Sequence, residues 1–327
     1  MEAAAHRMKA MIRKEYGPPD ALHLEEVEKP APTDTEVLLR VRATSINKSD
    51  WFQLTAPSVM RLLAGGLRRP RRQILLSDVA GQVEEVGKNV KSFQPGDEVF
   101  GDAHWGLAEY ACAREDLLVP KPTNVSFEQA ACVPVAGITA LQGLRDKGKV
   151  QPSQKVLIDG ASGGVGCFAV QIAKSFGAEV TAVCSTRNLE QAGQMGADFV
   201  IDYTKEDFGK NGQKYDLIAG VNGDRSVLGY RDSLGPKGTY VMIGGSKVLG
   251  QLIGTALLGP LLSTGGRKMG FMGVAKLNQK DLLALKELLH AGKIKPLIDR
   301  SYPLSESPDA FRYFGEGHVR SKVVITI

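Results

Sequence analysis

The sequence predicts a two-domain α/β protein: a doubly wound parallel sheet of six strands joined to a smaller β-barrel domain. Three observations carry that expectation. Strands and helices alternate through the middle of the 327-residue chain, the first third consists of short strands punctuated by glycine and proline, and one glycine-rich turn joins a strand to an apolar helix. The length fits about two domains of ordinary size.

Within the first third, Val37, Leu39, Val41 and Ala43 alternate along one face of a strand from Glu36 to Ala43. Pro30 and Pro32 mark the loop before it, and Gln94-Pro95-Gly96-Asp97 is a turn between later strands. Near residue 126 the pattern changes. Ser126 and Gln129 have capping-box spacing, opening a helix that Pro134 interrupts and that resumes through Leu144. Strands are then expected at Lys155–Asp159, Glu179–Cys184, Phe199–Asp202, Tyr215–Ala219, Gly238–Ile243 and Met269–Val274, with helices at Val165–Phe176 and Asn188–Met195. Asn278 is placed to cap a helix over Asp281–His290 that Gly292 ends, and a strand over Lys322–Ile327 closes the chain. The implied division is 1–127, 128–274 and a return segment 275–327.

Composition narrows the function classes. Hydrophobic residues at 43% and charged residues at 24% describe a folded globular chain, and 41 Lys plus Arg against 36 Asp plus Glu leave a net charge of +5. Such a mild excess suits an anionic small molecule at least as well as a polyanion. The four cysteines (Cys112, Cys132, Cys167 and Cys184) form no C-x-x-C pair, which excludes a clustered-cysteine zinc site and gives no disulfide framework. The polar start from Met1 to Lys9 has no signal-peptide core, so a soluble cytoplasmic protein is expected. Val248–Gly266 carries no charge, but its glycines and Pro260 suit a buried or pocket-facing helix and loop better than a membrane span. Peripheral contact with lipid is the other reading of that segment.

The turn Gly160-Ala161-Ser162-Gly163-Gly164-Val165-Gly166 follows the strand Lys155–Asp159 and opens an apolar helix. Glycines at 160, 163 and 166 make a variant of the dinucleotide fingerprint: the first permits the tight turn, the middle pair admits the pyrophosphate, and the last packs helix on sheet. Ser162, Gly163, Gly164 and Val165 are therefore the phosphate-facing candidates, at a helix N-terminus that favours an anion. Where NAD sites offer an acidic residue after the second strand, this chain has Ser185-Thr186-Arg187. Two hydroxyls and a guanidinium suit a 2′-phosphate, so NADP(H) is the expected cofactor; a helix cap beside a solvated arginine is the plainer alternative.

At these residues the sequence resembles the zinc-independent, quinone oxidoreductase-like branch of the medium-chain dehydrogenase/reductase superfamily. The likeness runs from about Lys9 to Ile327 and rests on separated blocks: Ala43-Thr44-Ser45-Ile46-Asn47 with Asp50, Ala80-Gly81 with Val86-Gly87, Gly96-Asp97 with Val99, Gly160 to Gly166, and Glu316-Gly317-His318. It implies a GroES-like catalytic barrel completed by the C-terminal segment, an inserted Rossmann domain, and a homodimer. Where zinc enzymes of the superfamily carry a catalytic cysteine this chain has Asn47, and where they carry Gly-His-Glu it has Leu76-Ser77-Asp78. No metal ligands are thus expected.

The resemblance implies NADPH-dependent hydride transfer to a small apolar quinone or α,β-unsaturated carbonyl. Asn47 matches a position beside nicotinamide and substrate, as an amide donor to the developing oxygen or else as a loop-structuring residue, and Thr139 matches a threonine beside the nicotinamide or else is a plain helix residue. Tyr203 matches a tyrosine beside the adenosine 2′-phosphate or else is a bare strand-end aromatic, and Phe271 and Met272 offer backbone groups to the carboxamide or are core. Some relatives carry a tyrosine five residues after the asparagine; here it is Phe52. Asp50 reads as a structural acceptor rather than a base, and Trp51, Phe52, Leu54, Met60 and Leu62 as pocket lining. Arg68, Arg69, Arg71 and Arg72 read as a solvated loop, since no aromatics interleave for nucleic-acid stacking. The rival function is a non-catalytic NADPH-binding protein that meets RNA or a membrane surface through this loop or through Val248–Leu262.

Overall fold

Alternating apolar side chains from Glu36 to Ser45 build the strand around which the first unit is organised. The computed structural model describes residues 7–56, 70, 72–223, 225–244, 254–255 and 258–327. Two units divide the chain: Met1–Val135 with Leu277–His290 and Pro296–Ile327, and Ala136–Lys276 with Ala291–Lys295. The division thus falls at Val135/Ala136, after the expected 127/128. The helix Phe127–Ala131 stays with the first unit because it packs on that unit's sheet. Ala291–Lys295 groups with the second, where Gln171 hydrogen-bonds both backbone groups of Lys295.

In the first unit, β1 (Arg7–Arg13) and β2 (Leu22–Glu28) form a two-stranded antiparallel sheet. Next come β3 (Glu36–Ser45), β4 (Asp78–Val86), β5 (Glu98–Asp102), β6 (Tyr110–Arg114) and β7 (Leu118–Pro120). The return segment adds β14 (Ile298–Pro303) and β15 (Lys322–Thr326), giving a seven-stranded sheet ordered β14-β15-β3-β4-β5-β7, with β6 on β3. β3 carries β6 along Glu36–Arg40 and β15 along Ala43–Ser45, so one strand serves as the seam of the barrel-like sheet. Val37, Leu39, Val41, Val83 and Val99 interlock inside it. A second cluster, including Met11, Ile46, Leu54, Phe311 and Val323, joins the return segment to β1 and the end of β3.

The second unit holds β8 (Lys155–Asp159), β9 (Glu179–Cys184), β10 (Phe199–Asp202), β11 (Tyr215–Gly220), β12 (Leu234–Met242) and β13 (Lys268–Phe271). All five neighbouring pairs are parallel, in the order β10-β9-β8-β11-β12-β13. That is the doubly wound sheet the sequence predicted, with its switch point between β8 and β11, where such sheets open a ligand crevice beyond the strand ends.

Local differences have local causes. The helix starting at Pro134 ends at Leu141 and continues as a π-turn over Gln142–Lys147, instead of running regularly through Leu144. β13 stops at Phe271 because Gly273 takes a left-handed φ of 83°, and Val274 lies beyond it, exposed. The capping boxes are as read: Ser126 and Gln129 exchange their bonds, and Asn278 accepts from Asp281 N at 2.9 Å. Most of Val248–Leu262, as well as Met60, Leu62, Arg68, Arg69 and Arg71, lies outside the described residues. Among the described residues no helix is long and apolar enough to cross a membrane.

Candidate functional site

In the second unit the fingerprint glycines have distinct steric duties. Gly160 has φ +90°, and a Cβ there would stand 2.6 Å from Asn222 N. A Cβ on Gly166 would stand 2.1 Å from Gly160 O, so only glycine lets the helix Gly164–Ser175 close on the turn. Gly163 differs. As the helix N-cap it has an ordinary φ, and the nearest atom to a Cβ would be 3.8 Å away. The turn is fixed from both sides, by Gly160 and Ala161 N–H donation to Val183 O and by Val221 and Asn222 N–H donation to Asp159 O. The N-cap Gly163 brings no side chain to cap this helix, and the first turn holds no acid. Ser162, Gly163, Gly164 and Val165 thus stand at an open helix N-terminus at the switch point, a geometry suited to a diphosphate.

Ser185, Thr186 and Arg187 follow β9 directly, Ser185 half-buried and the other two exposed. Two neighbours were not read from the sequence. Asn188 is buried, and its amide donates to Ser162 Oγ at 3.0 Å and Ser185 Oγ at 3.1 Å, tying the glycine-rich turn to the end of β9. Asp202, at the end of β10, takes the Thr186 hydroxyl proton at 2.6 Å and both the N–H and the hydroxyl of Thr204. Those bonds, led by Thr186, hold the Asp202 carboxyl below its usual range. The Thr186 hydroxyl is therefore already given to a carboxylate. Tyr203 is exposed beside them, while its N–H donates to Cys184 O at 3.1 Å.

Thr139 is half-buried on the helix Pro134–Leu141. Phe271 is exposed at the end of β13 and Met272 is buried, its N–H already given to Met242 O at 3.0 Å. Of the backbone groups expected to meet a carboxamide, the Met272 donor is thus engaged.

In the first unit Asn47 lies two residues past the end of β3 and is the N-cap of the helix Lys48–Thr55. Its surroundings are a buried polar cluster that sequence reading missed. Asn47 Nδ2 donates to Asp78 Oδ2 at 2.8 Å, and Asn47 Oδ1 accepts from Lys322 Nζ at 2.6 Å. Asp78 is wholly buried and also takes Ser45 Oγ at 3.1 Å and Val135 N at 3.0 Å. Lys322, 2% exposed, lies 3.5 Å from Asp78 Oδ2. Asp50 accepts from Asn47 N at 2.8 Å, the acceptor role expected of it. Burial and the facing Asp78 carboxylate nevertheless push the Asp50 carboxyl up to about 7, against the pull of the Asn47 N–H and Lys322.

Asp50 also lines a small polar pocket with Ser49, Gln53, Arg72, Ser77 and His104. Leu76 and Trp105, on its wall, both hold left-handed φ values of 64° and 67°, strain that side chains rarely tolerate. The apolar lining expected here is corrected in part. Leu54 is fully buried in the core, because the helix turns its fourth-residue face inward, and Trp51 packs against Phe314 at 6.5 Å.

Residues 33–123 match the alcohol dehydrogenase GroES-like domain family, and residues 195–325 match the zinc-binding dehydrogenase family. The chain is 33% identical to a chloroplast envelope quinone oxidoreductase homolog of Arabidopsis thaliana, over 98% of this chain and 99% of that one. The chain belongs to the medium-chain dehydrogenase/reductase family, in its quinone oxidoreductase-like branch. Another relative in this branch, an NADPH-dependent alkenal/one oxidoreductase of Arabidopsis thaliana, is 33% identical over 97% of this chain and 79% of its own. Among solved structures, a quinone oxidoreductase from Coxiella burnetii superposes with a TM-score of 0.84 at 30% identity, covering 98% of this chain and all of that one. The family's two-part architecture accounts for the β, then β–α–β, then β order of the chain.

Proposed function

We propose that this protein is an NADPH-dependent, zinc-free reductase that transfers hydride to a quinone or an α,β-unsaturated carbonyl. The observation that carries the reading is the open N-terminus of the helix Gly164–Ser175 at the switch point, with Arg187 and no acid directly after β9. A relative named as an NADPH-dependent alkenal/one oxidoreductase supports the choice of phosphate-bearing cofactor and acceptor class. When bound, NADPH supplies the hydride.

The chain's own residues do the rest. The helix N-terminus and Ser162 receive the diphosphate, Arg187 the 2′-phosphate, and Tyr203 flanks the adenosine. Reduction of the acceptor places negative charge on its carbonyl oxygen, and a fixed N–H donor lowers the energy of that charge. Asn47 has two N–H groups on Nδ2; Asp78 occupies one, and the second is assigned to the acceptor oxygen. Thr139 and the carbonyls near Phe271 and Met272 flank the nicotinamide in this reading.

A family match described as zinc-binding raises the question of a metal. The donors do not fit one. Where a cation would sit between Asn47 and Asp78, the Lys322 ammonium already stands, and among the described residues no group of three His, Cys, Asp or Glu side chains could hold a metal ion. Purified protein should oxidise NADPH on addition of a quinone or enone, at a rate unchanged after dialysis against EDTA. Loss of the rate with EDTA and its recovery with zinc would contradict the reading.

A further inference from the structure

We propose that Lys322 is a positioning residue for the Asn47 amide: its buried ammonium holds Oδ1 and thereby fixes the direction and donor strength of the Nδ2–H left for an acceptor oxygen. The inference rests on the reading of Asn47 given above.

Lys322 reaches Asn47 across 275 positions of sequence through strand pairing. β15 lies parallel to β14 and antiparallel to β3, with Val324 opposite Ser45, and Ile46 N donates to Val323 O at 3.0 Å. Just before the lysine, Ser321 adopts a left-handed φ of 93° and its hydroxyl donates to Leu297 O at 2.8 Å. The backbone therefore bends sharply where it delivers this side chain, and a buried contact keeps the bend.

Burying an ammonium is costly unless it is paired and hydrogen-bonded. Asp78 supplies the opposite charge, yet the ammonium is nearer to the amide oxygen, at 2.6 Å, than to the carboxylate, at 3.5 Å. Asp78 meanwhile accepts from Ser45, Asn47 and Val135. A lysine serving only to neutralise Asp78 would close on the carboxylate; this one closes on Asn47.

The consequence for the amide is specific. A flip of the Asn47 side chain would set its NH₂ against the ammonium and its oxygen against the carboxylate, two repulsive contacts replacing two attractive ones. The amide therefore has one orientation, and the second N–H has one direction. A cation on the carbonyl oxygen also draws electron density from nitrogen, making the remaining N–H a stronger donor.

The test has two arms. Lys322→Met should lower kcat at least tenfold with a quinone and an enone while the NADPH Kd changes less than twofold. Should that variant fail to fold, Lys322→Met with Asp78→Asn removes both charges together and keeps an acceptor for Asn47 Nδ2; the same loss of kcat is expected. The second arm needs no turnover: in cofactor-free, asparagine-¹⁵N-labelled protein, the Asn47 side-chain amide signals should shift and exchange at least tenfold faster in the variant. A folded variant with kcat within twofold and amide signals at their original positions would overturn the proposal. If unmodified protein turns over no quinone or enone, the functional reading falls, while the amide signals still decide the role of Lys322.

Discussion

Asp50 is held near 7 by its burial and by Asp78, well above the roughly 3.9 of an exposed aspartate. A carboxyl with a raised folded pKa keeps its proton longer in the native state. Its contribution to stability is full below about pH 4 and is lost as pH rises through about 7. Asp50→Asn removes that loss while keeping an acceptor for Asn47 N–H. The variant's Tm relative to the original protein should therefore be higher at pH 8 than at pH 5.5, with Asp102, also raised by burial to about 6, common to both proteins. An equal Tm difference at the two pH values would remove the assignment. Arg187 is the other residue on which much turns. With the Thr186 hydroxyl given to Asp202, the proposed 2′-phosphate site relies chiefly on the guanidinium. Arg187→Glu should weaken NADPH by at least about tenfold, about 1.4 kcal/mol, and NADH far less; titration of both cofactors by fluorescence decides it, and equal losses would contradict the role.

The elements divide into those legible in the sequence and those that were not. Strands Lys155–Asp159, Glu179–Cys184 and Phe199–Asp202 stand where apolar runs bounded by polar or glycine residues put them. β2 escaped because Leu22–Glu28 is largely exposed and rich in charge, and β14 because Ile298–Pro303 is an edge strand with no fully buried residue. The glycine-rich turn was legible in outline, but its division of labour was not: that a Cβ is excluded by backbone at Gly166 and not at Gly163 depends on packing. Gly166→Ala forces a Cβ against Gly160 O and should cost about 1–3 kcal/mol of stability, seen as a lower Tm. Gly163→Ala should leave the Tm of the cofactor-free protein nearly unchanged yet weaken NADPH at least tenfold, because its Cβ would fill space meant for the diphosphate. Full NADPH affinity in Gly163→Ala would move the diphosphate elsewhere.

Across the whole chain, the order of elements suggests a unit inserted between two parts of a β-rich one; the chain divides into Met1–Val135 with Leu277–His290 and Pro296–Ile327, and Ala136–Lys276 with Ala291–Lys295. What the order could not announce is the Asn47–Asp78–Lys322 cluster. Its members come from the helix cap just after β3, the start of β4 and the start of β15, and only the pairing of a C-terminal strand with an N-terminal one brings them together. A lone lysine five residues from the end carries no local signal of burial. Motif spacing points to the glycine-rich turn and Asn47 as candidates, and sheet topology supplies the partners that hold Asn47. Hydride transfer to an activated acceptor can be followed with an isotopic label. Incubated with NADPH carrying deuterium at both C4 positions and a simple enone, the protein should yield saturated ketone with one deuterium at the former β-carbon by mass spectrometry and NMR; product without that deuterium, or no product from any enone or quinone offered, would contradict the account.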